Sequence, residues 1–199
     1  MKLLFTRNSP YARRARIAVR EAGLLNEVEE LDISPREENL DTLLAHSPAA
    51  KVPVLVTSSG YSIYESILIG RYIDEQSGNT LMPSDPRARD AAMALDATAS
   101  ALLDSLFVRS RENRRDPSEQ SPGVIALEAE RAGRLLDTME TMIPAEPYVN
   151  LGVITAACAL GYADWRHPGD GWRNSHPRLS AWFDAIHRRE AFKLTAPDF

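Results

Sequence analysis

The sequence predicts an α+β fold: a small βαβαββα domain over residues 1–77, a linker over 78–86 and an all-helical domain over 87–199. Three observations carry this. Up to Gln76, short apolar runs of strand length alternate with amphipathic segments. Gly78 to Asp85 then holds Gly, Asn, Pro and Ser with little apolar content, as a linker does. Beyond Asp85-Pro86 every apolar pattern has helical spacing.

Each element has its own signal. Lys2 to Thr6 reads as a short buried strand, and Arg7-Asn8-Ser9-Pro10 as a loop whose proline suits the first turn of a helix. That helix carries Ala15, Ala18, Val19 and Ala22 on one stripe, with Arg13, Arg14, Arg16 and Arg20 off it, and ends at Gly23. The five arginines between Arg7 and Arg20 are expected mostly on a solvated face. Val28 to Ile33 reads as a second strand and Leu40, Leu43 and Leu44 as a short helix closed by Ser47-Pro48. Val52 to Val56 is apolar and β-branched around one proline, which loses a ladder donor and so belongs at a strand start or edge. Thr57 to Gly60 is a turn cluster, and Tyr61 and Ile63 alternate with polar neighbours, completing a hairpin. Ile69, Tyr72 and Ile73 then mark a helix that Ser66 is placed to cap.

In the second domain, Asp85-Pro86 is a helix start, followed by the stripe Ala92, Leu95, Ala99, Leu102, Leu103 and Leu106. A polar break with two prolines, Arg114 to Gly123, separates it from Ile125, Ala129, Ala132, Leu136, Met139 and Ile143, which step by helical intervals. Leu151 to Ala163 is apolar on every face and should be the central buried helix. Leu179, Trp182, Phe183 and Ile186 give a last amphipathic helix after His176-Pro177.

Composition bounds the function. A net charge of −5 gives no reason to expect nucleic acid or an anionic membrane as a partner. The single cysteine, Cys158, excludes an intramolecular disulfide and suits a reducing compartment. No signal-peptide core follows Met1, and the apolar run Leu151 to Ala163 is too short to span a bilayer. A cytoplasmic protein without a membrane or nucleic-acid partner is expected. His46, His167, His176 and His187 are scattered without metal-ligand spacing, so no metal is expected.

The order strand, Val52-Pro53, strand, Glu65-Ser66, helix resembles the glutathione-binding, thioredoxin-like half of the bacterial cytosolic glutathione transferases. His46 to Pro53 resembles the family's Asn-Pro-x-Gly-Lys-Val-Pro, with His46-Ser47 and Ala50 as departures. Ser9 to Arg16 looks like its Ser-Pro-aromatic-x-basic opening of the first helix, and Pro177 to Trp182 with Arg189 to Phe192 like its C-terminal helix. Val149-Asn150-Leu151 and Ala157 to Tyr162 are similar to the YibF-like subgroup. Most of the family opens the central helix with a reciprocal Ser/Thr-x-x-Asp box; here Asn150 can cap but Val153 cannot return the bond.

The resemblance implies glutathione as co-substrate. Val52, before a cis Pro53, would pair its backbone with the cysteinyl part, and Glu65 and Ser66 would hold the γ-glutamyl end. Lys51 would reach a glutathione carboxylate, the alternative being an exposed strand-end charge. The places that carry Cys-x-x-Cys in a two-cysteine thioredoxin read Ser9-Pro10-Tyr11-Ala12, so dithiol chemistry is absent. A hydroxyl at a helix N-terminus can instead donate to a thiolate that the ligand supplies, which makes Ser9 the catalytic candidate. Asn8 is a second donor on the loop, and a plain helix cap is the structural alternative for Ser9. The reading is a detoxifying glutathione transferase acting on a small, apolar electrophile, with electrophile contacts near Tyr11, Phe107 and Arg109. The alternatives are glutathione-dependent peroxidase, dehalogenase or isomerase chemistry, or a non-catalytic binding or regulatory protein on the same fold. A homodimer burying the helix from Arg87 and the hairpin edge is also implied, with Ser100 or Asp104 approaching the partner's γ-glutamyl site.

Overall fold

The computed structural model describes residues 1–33, 39–144 and 148–197. The chain forms two compact units, one of Met1–Pro83 with Glu190–Phe199 and one of Ser84–Arg189.

The first unit is built on a mixed four-stranded sheet of order β2-β1-β3-β4, with β1 Lys2–Phe5, β2 Glu29–Asp32, β3 Val54–Val56 and β4 Ser62–Tyr64. β1 and β2 run parallel, joined through the helix α1 Pro10–Glu21. β3 is antiparallel to both β1 and β4. The strands of the hairpin are shorter than Val52 to Val56 predicted, because Pro53 precedes β3 and the ladders begin at Val54. Side chains alternate across the sheet: Leu4 and Val54 join Ile33 and Leu43, from α2 Leu40–Leu44, in one buried cluster. Leu3 and Leu55, opposite each other in register, are fully buried on the other face.

The arginine-rich face of α1 is not solvated. Arg13 and Arg14 are each only 3% exposed. Arg16 and Arg20 converge on Glu30 of β2, with Arg20 Nη2 donating to Oε2 at 2.8 Å and Arg16 Nε at 3.3 Å. Arg16 also lies over the Phe5 ring at 4.2 Å. Burial pushes the Glu30 carboxyl up, but the Arg20 and Arg16 guanidinia outweigh it and hold it below the usual carboxylate range. Arg7 alone of the five has a largely exposed side chain, paired with Asp32.

Arg13 explains a second difference. Its Nη2 donates to the Phe192 carbonyl at 3.1 Å. Phe192 belongs to α9 Glu190–Leu194, which packs on α1 with Phe192 fully buried. This short C-terminal helix belongs to the first unit, whereas the sequence reading assigned all of 87–199 to the helical domain.

The second unit is helical: α4 Pro86–Glu112, α5 Pro122–Met142, α6 Leu151–Arg166, α7 Trp172–Ser175 and α8 Pro177–Ile186. Asp85 Oδ1 caps α4 by accepting from the Ala88 N–H at 2.9 Å. Among the described residues α4 is the one helix long and apolar enough to cross a membrane, but its stripe from Ala92 to Leu106 is buried and it packs on α5 and α6. Every residue of α6 from Leu151 to Ala163 is buried, as an all-apolar helix requires. Glycine makes this packing possible. A Cβ at Gly152 would sit 2.4 Å from the Ala92 carbonyl oxygen of α4.

Candidate functional site

The register of the sheet brings the candidate residues to one end of the first unit. β1 runs antiparallel to β3 with Leu4 opposite Val54, so the loop leaving β1 emerges beside the residues entering β3. β4 is antiparallel to β3 with Val54 opposite Tyr64, so the residues leaving β4 emerge at that same end. Ser9 follows β1, Lys51, Val52 and Pro53 precede β3, and Glu65 and Ser66 follow β4. All six candidates therefore follow or precede strands at that one end of the sheet, from segments that lie far apart in the chain.

Ser9 occupies the N-cap of α1, with Pro10 at its first position. Its Oγ accepts from the Ala12 N–H at 3.1 Å, and its carbonyl accepts from Arg13 N–H. The cap uses a lone pair of the hydroxyl and leaves its proton free to be donated. Capping and thiolate donation thus draw on different ends of one group. Asn8 is exposed on the same loop.

The Val52–Pro53 peptide is cis, and Val52 lies outside both ladders, which begin at Val54. Lys51 is exposed beside it.

Glu65 rather than Ser66 holds the N-cap position of α3 Ser66–Gln76, and it makes no side-chain cap bond. The expectation that Ser66 caps the helix is corrected accordingly: Ser66 is the first helical residue, and its Oγ accepts from Arg14 Nη1 at 3.3 Å. Ser66 is 5% exposed, while the Glu65 side chain is open to solvent. Glu65 sits at φ 78°, ψ 109°, a left-handed backbone region that favours glycine.

Residues 8–76, the span of this site, match the family model described as the glutathione S-transferase N-terminal domain. Over 99% of the chain the sequence is 31% identical to an uncharacterised GST-like protein of Escherichia coli K12, YibF, covering 98% of that relative. The chain belongs to the glutathione transferase family. Glutathione S-transferase 3 of Glycine max is 29% identical over 98% of this chain and 89% of its own. Among solved structures, a glutathione transferase family member from Pseudomonas fluorescens, crystallised with bound glutathione, aligns with TM-score 0.91 and 30% identity. It covers 100% of this chain and 99% of its own. A glutathione S-transferase from Methylobacillus flagellatus with GSH bound gives TM-score 0.89 at 28% identity, over 99% of both chains.

Arg109 and Arg14 of this glutathione transferase fold also depart from the sequence reading. Arg109, expected among electrophile contacts, is 5% exposed and hydrogen-bonded to Asp170 within the helical unit. Arg14, read as part of a solvated face, is the side chain that meets Ser66. Only its place off the small-residue stripe of α1 was visible beforehand, because its partner lies 52 residues away.

Proposed function

We propose that the protein binds glutathione and transfers its sulfur to a small electrophile. The observation that carries this reading is the gathering, at one end of the sheet's strands, of a helix-capping serine, a strand-entry residue outside the ladders and a Glu-Ser pair at a helix start. In this reading the Val52 backbone pairs with the cysteinyl part, and the Glu65 carboxylate takes the γ-glutamyl ammonium. The first turn of α3 with the Ser66 hydroxyl takes its carboxylate. Lys51 meets a second carboxylate of the ligand. Ser9 donates its free proton to the sulfur, favouring thiolate over thiol. The thiolate lone pair then forms the carbon–sulfur bond, the displaced group leaves with its electron pair, and the thiol proton goes to solvent. A thioether is the product class. The Pseudomonas fluorescens relative was also crystallised with S-(propanoic acid)-glutathione, a ligand of that class, at 31% identity and TM-score 0.88.

The reading includes a homodimer. Tyr61, Tyr64, Ile67 and Leu68 form exposed apolar surface on β4, its preceding turn and α3, which a second copy would cover. It also includes a cytoplasmic, reducing setting, supported by the single, buried Cys158. Isothermal titration with glutathione, followed by turnover against a panel of electrophiles and hydroperoxides, tests the reading. Binding with conjugation is the predicted result. Binding with peroxide reduction alone would replace transferase by peroxidase chemistry, and no binding would refute the site.

A further inference from the structure

We propose that the C-terminal helix α9 serves the chemistry of the first unit: through Arg13 it fixes the first turn of α1, and so sets where the Ser9 hydroxyl stands. Arg13 is in this sense a positioning residue. The inference rests on the reading that Ser9 donates to a glutathione thiolate, and deepens it.

Arg13 is joined to Ser9 at one end and to α9 at the other. Its backbone N–H donates to the Ser9 carbonyl at 2.9 Å and closes the first turn of α1. Its side-chain Nη2 donates to the Phe192 carbonyl at 3.1 Å. One residue therefore spans from the cap of α1 to a helix 179 residues further on. Both ends of that span are held. Arg13 is 3% exposed, and a guanidinium is buried at low cost only while acceptors hold its N–H groups. Phe192 is fully buried, as is Thr195, whose Oγ1 donates back to the Ala191 carbonyl at 2.8 Å. Lifting α9 away would strip a buried charge of an acceptor and uncover the Phe192 ring. The docking of α9 and the place of Arg13 thus go together. Helix α9 supplies none of the six candidate residues, so its bearing on the chemistry runs through α1. Donation to a thiolate is sensitive to such placement, since a displacement of about 1 Å can cost on the order of a hundredfold in rate.

The test is the ultraviolet absorbance of bound glutathione thiolate against pH, at saturating ligand. Wild type is compared with Arg13→Lys, Arg13→Gln, Phe192→Leu, Ser9→Ala and the Arg13→Gln/Ser9→Ala double variant. Arg13→Gln should move the curve to higher pH by at least half the shift of Ser9→Ala. Its affinity for an S-alkylated glutathione should change by less than about twofold, since that ligand has no thiolate to stabilise. Phe192→Leu loosens α9 from its own side, and should move the curve the same way without touching anything else that Arg13 meets. Arg13→Lys keeps a charged donor and should stay closer to wild type than Arg13→Gln. In the Ser9→Ala background Arg13→Gln should add no further shift, because no hydroxyl remains to misplace. A shift that persists there would mean that the Arg13 charge acts on the sulfur through space, and would overturn the proposal. Curves of Arg13→Gln and Phe192→Leu superimposed on wild type, with only a lower urea midpoint, would make α9 a strut of the core and overturn it as well. Loss of the folded state in both Arg13 variants and in Phe192→Leu would do the same. Failure of the wild type to bind glutathione, or of Ser9→Ala to move the curve, is a separate result, which removes the underlying reading and the proposal with it.

Discussion

Glu65 adopts φ 78° in a region that costs a side-chain-bearing residue about 1–3 kcal/mol, and its carboxylate makes no cap bond in return. Its carbonyl accepts from Ile69 N–H at 3.1 Å, and in the proposed function the strained backbone serves to present the carboxylate to a ligand. Glu65→Gly should relieve the strain and remove the carboxylate together. The urea midpoint should stay level or rise, while glutathione affinity falls by roughly 1–3 kcal/mol in calorimetry. A destabilised variant with unchanged affinity would give Glu65 a structural role. Glu65 and Ser66 stood out in the sequence as candidates through the family resemblance, at their place after the hairpin. Their division of labour was not legible, since which residue caps α3 depends on the φ of Glu65 and on an arginine from α1. The same holds for Arg109: nothing near it in the chain announces Asp170, 61 residues on.

Elements in this protein borrow their ends from one another. The α8 N-cap residue, His176, makes no side-chain cap bond and Pro177 lacks an N–H. Glu140 of α5 fills the gap, its carboxylate accepting from Arg178 N–H at 2.9 Å and Leu179 N–H at 2.7 Å. At α6 the cap is local: Asn150 Oδ1 accepts from Val153 N–H at 3.0 Å. The bond that Val153 cannot return is accompanied by a different tie, Thr155 Oγ1 to Asp96 Oδ1 of α4 at 2.6 Å. Helices with strong periodicity, such as α4 and α8, were legible because the hydrophobic stripe is the packing surface. The four-residue α7 and five-residue α9 carry too few turns to show a period, so tertiary contacts alone define them. Close packing of α4 on α6 gives the test at this scale. Gly152→Ala would drive a methyl group into the Ala92 carbonyl oxygen, with the Asp96 nitrogen 3.0 Å away. Backbone cannot swing aside as a side chain can, so a loss of about 2–4 kcal/mol in urea unfolding is predicted. A loss below about 0.5 kcal/mol would show that the helices are not in close contact at Gly152.

At the scale of the molecule, the two units carry different acid-sensitive groups. In the helical unit His167 is 5% exposed, and its Nε2–H donates to the Leu106 carbonyl at 2.9 Å. Burial pushes its pKa below 6.5, the nearby guanidinia of Arg109 and Arg166 push the same way, and the Leu106 bond and Asp170 oppose them. The unfolded chain therefore binds more protons than the folded one between the lowered value and 6.5. His167 contributes stability above about pH 6.5 that is lost as pH falls through its folded pKa. In the first unit the corresponding group is Glu30, whose depressed pKa contributes stability above about pH 4.5, lost only in stronger acid. Acid should weaken the helical unit first. All three tryptophans, Trp165, Trp172 and Trp182, lie in that unit, so their fluorescence reads it alone. The fluorescence-detected urea midpoint should fall from pH 7.5 to 5.5, and His167→Gln should flatten that slope. Parallel slopes would assign the acid sensitivity elsewhere. The division into a mixed-sheet unit and a helical unit was legible from the change in periodicity near residue 85. The return of α9 to the first unit was not, because it depends on Arg13 finding the Phe192 carbonyl.

In the proposed function Ser9 uses one lone pair to cap α1 and donates its proton to a glutathione thiolate. The most direct test is the ultraviolet absorbance of bound glutathione thiolate against pH, in wild type and in Ser9→Ala at saturating ligand. Wild type should ionise the bound thiol well below the free-thiol value of about 8.5. Ser9→Ala should move the curve to higher pH, with affinity for an S-alkylated glutathione nearly unchanged, since that ligand has no thiolate to stabilise. Superimposed curves, accompanied only by the loss of about 1 kcal/mol of stability that a missing cap brings, would contradict the account.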